Sequence, residues 1–279
     1  MFKKLLKVIV IIFAIIGFGL VGVYFAVRFG LTNTSGVIDQ QSDSFIKEGE
    51  NSLNNDDVEE YIEPQFKTWN STYEWEIIRS ALLKDVDVIY RASNDSGVSS
   101  RIIVSQLVVE QLRLFFSERQ AFKKWFEPLK ILGSQTQFSW GVMGMKEETA
   151  ILVEQHLKDK NSEFYLGESY ENILDFKTED VKKERFARMT DQDDHYFSYL
   201  YAGLFIKQII SQWEKAGYDI SNSPEIISTI YNLGFSRSIP KSDPKSGGAQ
   251  IDIDGINYSF GSLGGEFYYS AEMVSEFGR

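Results

Sequence analysis

Three kinds of segment follow one another along the chain: an uninterrupted apolar run, a polar stretch, and a longer part with helical spacing of apolar residues. Residues Val8–Val27 contain no charge, and at about 1.5 Å per residue they span roughly the 30 Å of a bilayer core. Three lysines precede the run, which favours a cytoplasmic N-terminus. We therefore predict a cytoplasmic tip at residues 1–7 and a transmembrane helix at residues 8–27. The alternative is a cleaved signal peptide, whose apolar region is normally shorter and ends in small residues.

Residues 28–65 are rich in Ser, Asn, Asp and Glu and contain few aromatic residues. Such a composition is typical of a flexible or partly helical linker. We interpret it as a stalk that holds the following domain, residues 66–279, away from the membrane on its outer side. The predicted location is the cell (inner) membrane, crossed once, with the lipid bilayer contacted through residues 8–27.

Helical periodicity dominates the chain beyond residue 66. Trp75 and Leu82 fall on one side of a helical segment that starts near Thr68, and a second helix begins near Ser99 or Ser100. Further helices are predicted over "SERQAFKKWFEPLKIL", "KEETAILVEQHLKD", "DQDDHYFSYLYAGLFIKQIISQWEKAG" and "SPEIISTIYNLG", and a loop over "GSQTQFSWGVMG".

The C-terminal part differs, because "AQIDIDGINYSFG" alternates apolar and polar residues around Asp254-Gly255. This pattern predicts a β-hairpin. The expected fold class is therefore mostly α with a small C-terminal β-hairpin, preceded by one N-terminal transmembrane helix.

The amino-acid composition limits the kinds of catalytic site, metal site and partner that the chain can have. The chain has no cysteine and two histidines, which excludes disulfides, thiolate nucleophiles and zinc–thiolate sites and argues against a multi-histidine metal centre. The formal net charge is −11, and setting aside the four positive charges of the anchor region, Lys3, Lys4, Lys7 and Arg28, leaves −15 for the rest of the chain. So acidic a surface argues against nucleic acid and anionic lipid as partners.

One carboxylate stands out, because Glu110 lies within the apolar stretch "SQLVVEQLRLF". On a helix it shares a side with Ile103, Leu107 and Leu114, and burying an unpaired charge is costly. In one interpretation, Glu110 pairs with Arg113 at an exposed edge and has no chemical role. In the other, it is an acid in a partly dry cleft, where desolvation favours the protonated form and lets it donate a proton, as in glycosidases.

Three segments resemble, in order and spacing, the SLT-type lytic transglycosylases of the lysozyme-like group. The first family motif is Glu-Ser at the end of a buried helix that opens with a Gly-Val turn, and here "SGVSSRIIVSQLVVEQ" supplies Gly97, Val98 and Glu110. The second is Gly-Leu-Met-Gln before a helix ending in Thr-Ala, matched here by "GVMGMKEETA". The third is Ala-Tyr-Asn-x-Gly late in the domain, matched by "IYNLG". The resemblance covers about residues 75–240.

The resemblance implies a lysozyme-like α+β domain and an enzyme that cleaves the β-1,4 bond between N-acetylmuramic acid and N-acetylglucosamine in peptidoglycan glycan strands. Glu110 would protonate the glycosidic oxygen and then act as base, which leaves 1,6-anhydro ends on the muramic acid. The sugar's own 6-hydroxyl replaces water, so one protein carboxylate suffices. No cofactor and no metal are implied.

The resemblance also implies substrate-binding positions beside Gly141. Met143 and the backbone near Val142 would line the sugar cleft. Tyr231 would hydrogen-bond the catalytic carboxylate or the substrate, and Asn232 would hold its loop. Trp140 either stacks on a sugar ring or is an ordinary core aromatic.

Departures from the family pattern leave other functions open. Gln111 replaces the family's serine, Gly144 replaces its glutamine, and the charged segment 174–194 resembles an insertion that alters the cleft wall. A lysozyme-type hydrolase is one alternative, and an inverting one needs a second carboxylate about 6.5–9.5 Å from the first, for which Glu147 and Glu148 are candidates. A non-catalytic glycan-binding or scaffold domain of an envelope complex is the other.

Two acidic segments resemble cation sites. "DQDDH", residues 191–195, offers oxygen ligands suited to calcium, but helix capping explains it more simply. "DIDG", residues 252–255, opens like a calcium loop, but a hairpin turn explains it and no glutamate follows at loop position 12. No metal site is therefore predicted.

Overall fold

A computed structural model of the chain describes residues 68–116 and 139–278. The predicted tip, membrane helix and stalk, residues 1–65, lie outside the described residues, as does the amphipathic helix predicted after Phe116. None of the helices in the described ranges combines the length and the apolar character that crossing a membrane requires.

Helices make up most of the described residues, together with two small antiparallel strand pairs. The helices are α1 (Tyr73–Lys84), α2 (Val86–Ser96), α3 (Ser100–Phe116), α4 (Glu147–Lys158), α5 (Val181–Met189), α6 (Tyr196–Lys215), α7 (Pro224–Leu233), α8 (Phe260–Tyr269) and α9 (Val274–Phe277). The strands are β1 (Ser139–Trp140), β2 (Met145–Lys146), β3 (Gln250–Ile253) and β4 (Ile256–Ser259). Each pair is antiparallel, with Trp140 opposite Met145 and Ile253 opposite Ile256. A mostly helical fold with a C-terminal β-hairpin is thereby confirmed.

The elements differ from the sequence prediction in several places. Helices α5, α8 and α9 were not predicted, and α6 begins at Tyr196 rather than in the aspartates before it. Two further differences concern breaks within predicted segments. The first helical segment is divided, since Trp69–Ser71 form a short 3-10 turn and Asp85 separates α1 from α2. The predicted loop before α4 contains β1 and the turn at residues 141–144, and β2 follows it, so Lys146 lies in a strand rather than in the predicted helix. Both differences arise because a break or a two-residue ladder leaves almost no trace in hydrophobic periodicity.

Helix α3 forms the centre of the core. All its residues from Ser100 to Leu112 are buried, as expected for a helix that is apolar on nearly every side. It packs against α1, α2, α6, α7 and α8. Gln106 on α3 donates from Nε2 to the Ser228 hydroxyl of α7 at 3.0 Å, so even the polar positions of this helix face neighbouring elements.

A buried arginine connects α3 to the C-terminal segment. The Arg101 side chain is fully buried, and its guanidinium donates to four backbone carbonyl oxygens, those of Phe267, Tyr268, Ser270 and Glu272. The last carbonyls of a helix lack intrahelical partners and carry partial negative charge. Arg101 therefore satisfies the C-terminal end of α8 and holds it against the start of α3.

The carboxylates of the acidic segment before α6 accept hydrogen bonds from nearby residues. Asp191 accepts hydrogen bonds from the backbone N–H groups of Asp193 and Asp194, and Asp194 accepts one from Tyr196 and pairs with Arg91. The N-cap residue of α6 is His195, which makes no side-chain capping bond, so the capping expected from the aspartates is limited to the bond that Asp194 accepts from Tyr196. In "DIDG", one Asp252 carboxylate oxygen accepts the N–H of Gly255 in the hairpin turn. Within the described ranges, no group of three or more His, Asp or Glu side chains is arranged to hold a metal ion.

Candidate functional site

Glu110 lies in the C-terminal half of α3 and is 4% exposed. Its carboxyl group faces the backbone of Gly144, where an added Cβ atom would lie 3.0 Å from the Glu110 Cδ and Oε2 atoms. Gly144 also has a φ of +61°, a left-handed conformation that non-glycine residues adopt at a cost. The glycine therefore serves both the turn and the close approach of the carboxylate. Any side chain at this position would therefore meet the Glu110 carboxylate.

Arg113, one turn further along α3, pairs with this carboxylate. Its Nε atom lies 2.9 Å from Oε2 of Glu110, and its Nη2 atom donates to the same oxygen. The two side chains are 13% and 6% exposed. The ion pair of the first interpretation is thus present, but it lies at a largely buried position, as the second interpretation placed Glu110, and not at an exposed edge. The apolar neighbours on α3 enclose both groups, so the pair is far less screened by water than a surface pair.

Residues 141–144 form the turn between β1 and β2, and this turn approaches Glu110. The Gly144 N–H donates to the Gly141 carbonyl at 3.0 Å, which closes the turn. Gln111, adjacent to Glu110, donates from Nε2 to the Val142 carbonyl at 2.7 Å. The first and second sequence motifs are therefore joined directly, and the residue that replaces the family's serine makes the connection.

Tyr231 from α7 joins the same turn. Its hydroxyl donates to the Met143 carbonyl at 2.8 Å. Of the two partners that the resemblance implied, the Glu110 carboxylate and the substrate, the carboxylate is thus not bonded to the phenol, which reaches the turn backbone instead. Burial raises the pKa of Tyr231 well above its usual range, and the negative charge of Glu110 raises it further. Tyr231 therefore remains a neutral donor close to the carboxylate.

The neighbouring Asn232 contacts the segment before β3. Its Oδ1 atom accepts the Ala249 N–H at 2.9 Å, and a Cβ atom at Gly248 would lie 3.0 Å from the same oxygen. The third motif thus contacts the turn with one residue and the segment before β3 with the next.

Two predicted sugar contacts are buried. Trp140 is 3% exposed and packs edge-on against Phe186, with ring centroids 5.2 Å apart. This favours the core role, because a ring must be accessible to stack on a sugar. The Met143 side chain is fully buried as well, which corrects its predicted place on the cleft lining. Both side chains support the turn from inside.

The charged segment 174–194 contains α5 and packs on this region through Phe186. Arg185 of α5 is 6% exposed; it binds both carboxylate oxygens of Glu154, at 2.6 and 2.7 Å, and lies 3.7 Å from Glu147. Glu147, a candidate second carboxylate, is therefore buried in an ion-pair cluster of its own. Glu148 is exposed.

The sequence analysis missed two contributors to the site. Ser198 on α6 accepts the Met143 N–H at 3.4 Å, and no sequence pattern distinguishes this serine. Gly144 was noticed only as a departure from the family, although a glycine at the end of a four-residue turn is itself a signal for a positive φ. No family model, curated protein or solved structure matches the chain.

Proposed function

We propose that the chain is a membrane-anchored lytic transglycosylase with a lysozyme-like domain, which cleaves peptidoglycan glycan strands. The observation that carries the proposal is the meeting of three segments distant in sequence. The Glu110 carboxylate lies against Gly144, Gln111 binds the Val142 carbonyl, and Tyr231 binds the next carbonyl of the turn. A meeting of the glutamate, the glycine turn and the tyrosine is what the resemblance to the family requires.

In the proposed reaction, Glu110 in its protonated form donates a proton to the glycosidic oxygen as the bond from that oxygen to C1 of the muramic acid breaks. The C6 hydroxyl oxygen of the same sugar then bonds to C1, and its proton passes to the Glu110 carboxylate. The acid is regenerated without water or cofactor. One carboxylate within hydrogen-bonding reach of both oxygens supplies the general acid and base.

The hydrolase alternative has weaker support. An inverting hydrolase needs a second carboxylate that can activate water, but Glu147 is buried and its charge is shared with Arg185. The non-catalytic alternative is favoured by one observation, the ion pair between Glu110 and Arg113, because an ionised carboxylate has no proton to donate.

The proposed membrane position connects the domain to its substrate. A helix at residues 8–27 would hold residues 66–279 outside the cytoplasm, where peptidoglycan is found, and the acidic charge argues against nucleic acid as a partner. Protease added to intact spheroplasts should digest the domain, whereas the same protease should leave a cytoplasmic marker intact. Complete protection of the domain would contradict this topology.

Digestion of purified peptidoglycan by the full-length protein in detergent tests the chemistry. Mass spectrometry should find products one water lighter than hydrolysis products, the 1,6-anhydro ends. New reducing ends in stoichiometric amount would support a hydrolase instead. Binding to glycan strands without any product would support the scaffold alternative.

A further inference from the structure

The pair between Glu110 and Arg113 has an unusual arrangement for two buried groups. Two donors of Arg113, Nε and Nη2, converge on a single oxygen, Oε2 of Glu110. Within the described ranges, no hydrogen-bond donor reaches the other oxygen, Oε1, and the Nη1 atom of Arg113 has no acceptor. Arg113 is also the more exposed partner, at 13% against 6%. The guanidinium therefore retains unused donors on the more solvent-accessible side of the pair.

This arrangement conflicts with the acid step of the proposed reaction. Glu110 must carry a proton to donate one, but protonation would leave the charge of Arg113 unpaired at a largely buried position, which is costly. Tyr231, the titratable group that faces the pair from α7, is neutral and gives its hydrogen bond to Met143. The turn at residues 141–144 contributes apolar side chains and backbone. Within the described residues, no second carboxylate forms an ion pair with Arg113.

An anion brought by the substrate resolves the conflict. We propose that Arg113 binds a carboxylate of the glycan substrate, and that this binding releases Glu110 to take up the proton it donates. The inference rests on the proposed function and names Arg113 as a specificity-determining residue. The charges balance: the free site holds one guanidinium and one carboxylate, and the bound site holds one guanidinium, the ligand carboxylate and a carboxylic acid whose proton comes from solvent.

Two parts of a peptidoglycan strand carry such a carboxylate, the lactyl ether of muramic acid and the stem peptide. A planar guanidinium with two available donors suits either, since arginine binds carboxylates through paired N–H groups. A strand made of N-acetylglucosamine alone lacks both. Arg113 should therefore distinguish muramic-acid strands from chitin-like strands by charge rather than by shape.

The test measures proton uptake on ligand binding. The full-length protein in detergent, held near pH 6 in a pH-stat without buffer, is titrated with three ligands. The first is the disaccharide of N-acetylglucosamine and N-acetylmuramic acid, and the second is its dipeptide derivative. In the derivative the lactyl carboxyl is an amide, so the peptide supplies the carboxylate. The third ligand is chitobiose, which has no carboxylate. We expect uptake approaching one proton per protein with at least one of the first two, and none with chitobiose. Whichever of the first two causes uptake identifies the source of the carboxylate.

Substitutions at Glu110 and Arg113 test whether the proton uptake comes from this ion pair. Glu110→Gln should abolish proton uptake, and Arg113→Met should weaken binding of the effective ligand about tenfold while leaving chitobiose unchanged. Arg91→Met is the matched control, since Arg91 pairs with Asp194 at an exposed site, and it should behave like the wild type. If Arg113→Met does not fold, as judged by circular dichroism, Arg113→Lys replaces it. This variant should retain only part of the preference for the carboxylate ligand over chitobiose.

The outcomes separate the inference from the proposed function. Strand cleavage without proton uptake, or equal affinity for all three ligands in the wild type, overturns the inference alone. Proton uptake that depends on Arg113 without cleavage of any strand overturns the proposed enzyme and leaves carboxylate recognition in place. Binding of none of the ligands, together with no cleavage, overturns both.

Discussion

A buried arginine, Arg185, and a partly buried one, Arg113, pair with glutamates in different ways. Arg185 connects α5 to α4 and binds Glu154 through two parallel hydrogen bonds, one to each carboxylate oxygen. Tyr201 adds a third donor to the same carboxylate at 2.7 Å. Arg113, in contrast, lies one turn from Glu110 on the same helix and directs two donors at one oxygen. The first pair joins distant segments with both oxygens satisfied, and the second joins neighbours and leaves one oxygen without a donor among the described residues.

This contrast distinguishes an ion pair that stabilises the fold from one that can open during a proton transfer. A buried pair persists when its geometry is good and its remaining lone pairs are satisfied, and the pair of Arg185 and Glu154 meets both conditions. Burial and contact with Glu154 also raise the pKa of Tyr201 above its usual range, so it stays a donor. The pair of Glu110 and Arg113 can open without breaking an interhelical connection, because both partners lie on α3. We therefore expect the first pair to control stability and the second to control activity.

The largest expected effect is on turnover, and it comes from Glu110→Gln. Glutamine retains an acceptor for Arg113 but cannot donate and retrieve a proton, so strand cleavage should fall by about 10²–10⁴-fold or more, with a loss of stability near 1 kcal/mol. Turnover and urea denaturation are measured on the same sample. Glu154→Gln is the matched control, which should lower stability and leave turnover per folded molecule unchanged. Wild-type cleavage by Glu110→Gln would place the active site elsewhere.

The largest effect on stability should follow removal of Arg185. Arg185→Met leaves Glu154 and Glu147 buried without their cation, which should cost about 3–5 kcal/mol of the free energy of unfolding. Arg113→Met should cost less, about 2 kcal/mol, because it leaves one carboxylate without its cation rather than two. Chemical denaturation of both variants measures the difference. Equal losses of unfolding free energy would mean that the two ion pairs contribute equally to stability.

An added methyl group tests how closely the turn must approach Glu110. Gly144→Ala places a Cβ atom 3.0 Å from the carboxyl carbon and strains a positive φ, which costs about 1–2 kcal/mol. Gly217→Ala also introduces alanine at a positive φ, of +86°, but nothing lies within 4 Å of the added atom. Stability should therefore fall in both variants, whereas turnover should fall about tenfold only at Gly144. A similar decrease in turnover for both would assign the effect to the backbone alone.

The smallest effect is a pH dependence at a third pair, between Glu184 and Arg188 on α5. The backbone N–H of Lys177, the hydroxyl and N–H of Thr178, and the charge of Arg188 hold the pKa of Glu184 at about 2. A depressed carboxyl pKa stabilises the fold above about pH 4.5, and this contribution is lost as the pH falls towards 2. The difference in unfolding free energy between wild type and Glu184→Gln should therefore shrink over that interval. A difference that does not change with pH would contradict the assignment.

Local signals predicted most elements because they depend on neighbours in sequence. Pro224 and Gly234 bounded α7 correctly, and the all-round apolar pattern of α3 correctly indicated burial. The i to i+3 spacing also predicted the contact between Glu110 and Arg113, since such residues meet on any helix. The break at Asp85 was missed, because apolar spacing continues on both sides of it.

The resemblance named residues that lie close together in the structure, but it did not predict their hydrogen-bond partners. The resemblance placed Glu110 and Tyr231 in one site, and the structure brings them to the same turn. It could not predict that the phenol binds the Met143 carbonyl rather than the carboxylate. Nor did the charge of segment 174–194 reveal that Arg185 is buried, because a charged residue on a short helix is usually solvated.

The amino-acid sequence alone was sufficient to specify the helical segments of α1 to α4, α6 and α7, the hairpin at Asp254-Gly255 and the pairing of residues one turn apart. These features depend on backbone preferences and periodicity over a few residues. The tertiary structure decided that Arg185 binds Glu154, that Gly144 lies against Glu110, and that Trp140 is covered by Phe186. These contacts join segments separated by more than thirty residues in the sequence. Their geometry is set by how whole helices pack, and no local pattern encodes it.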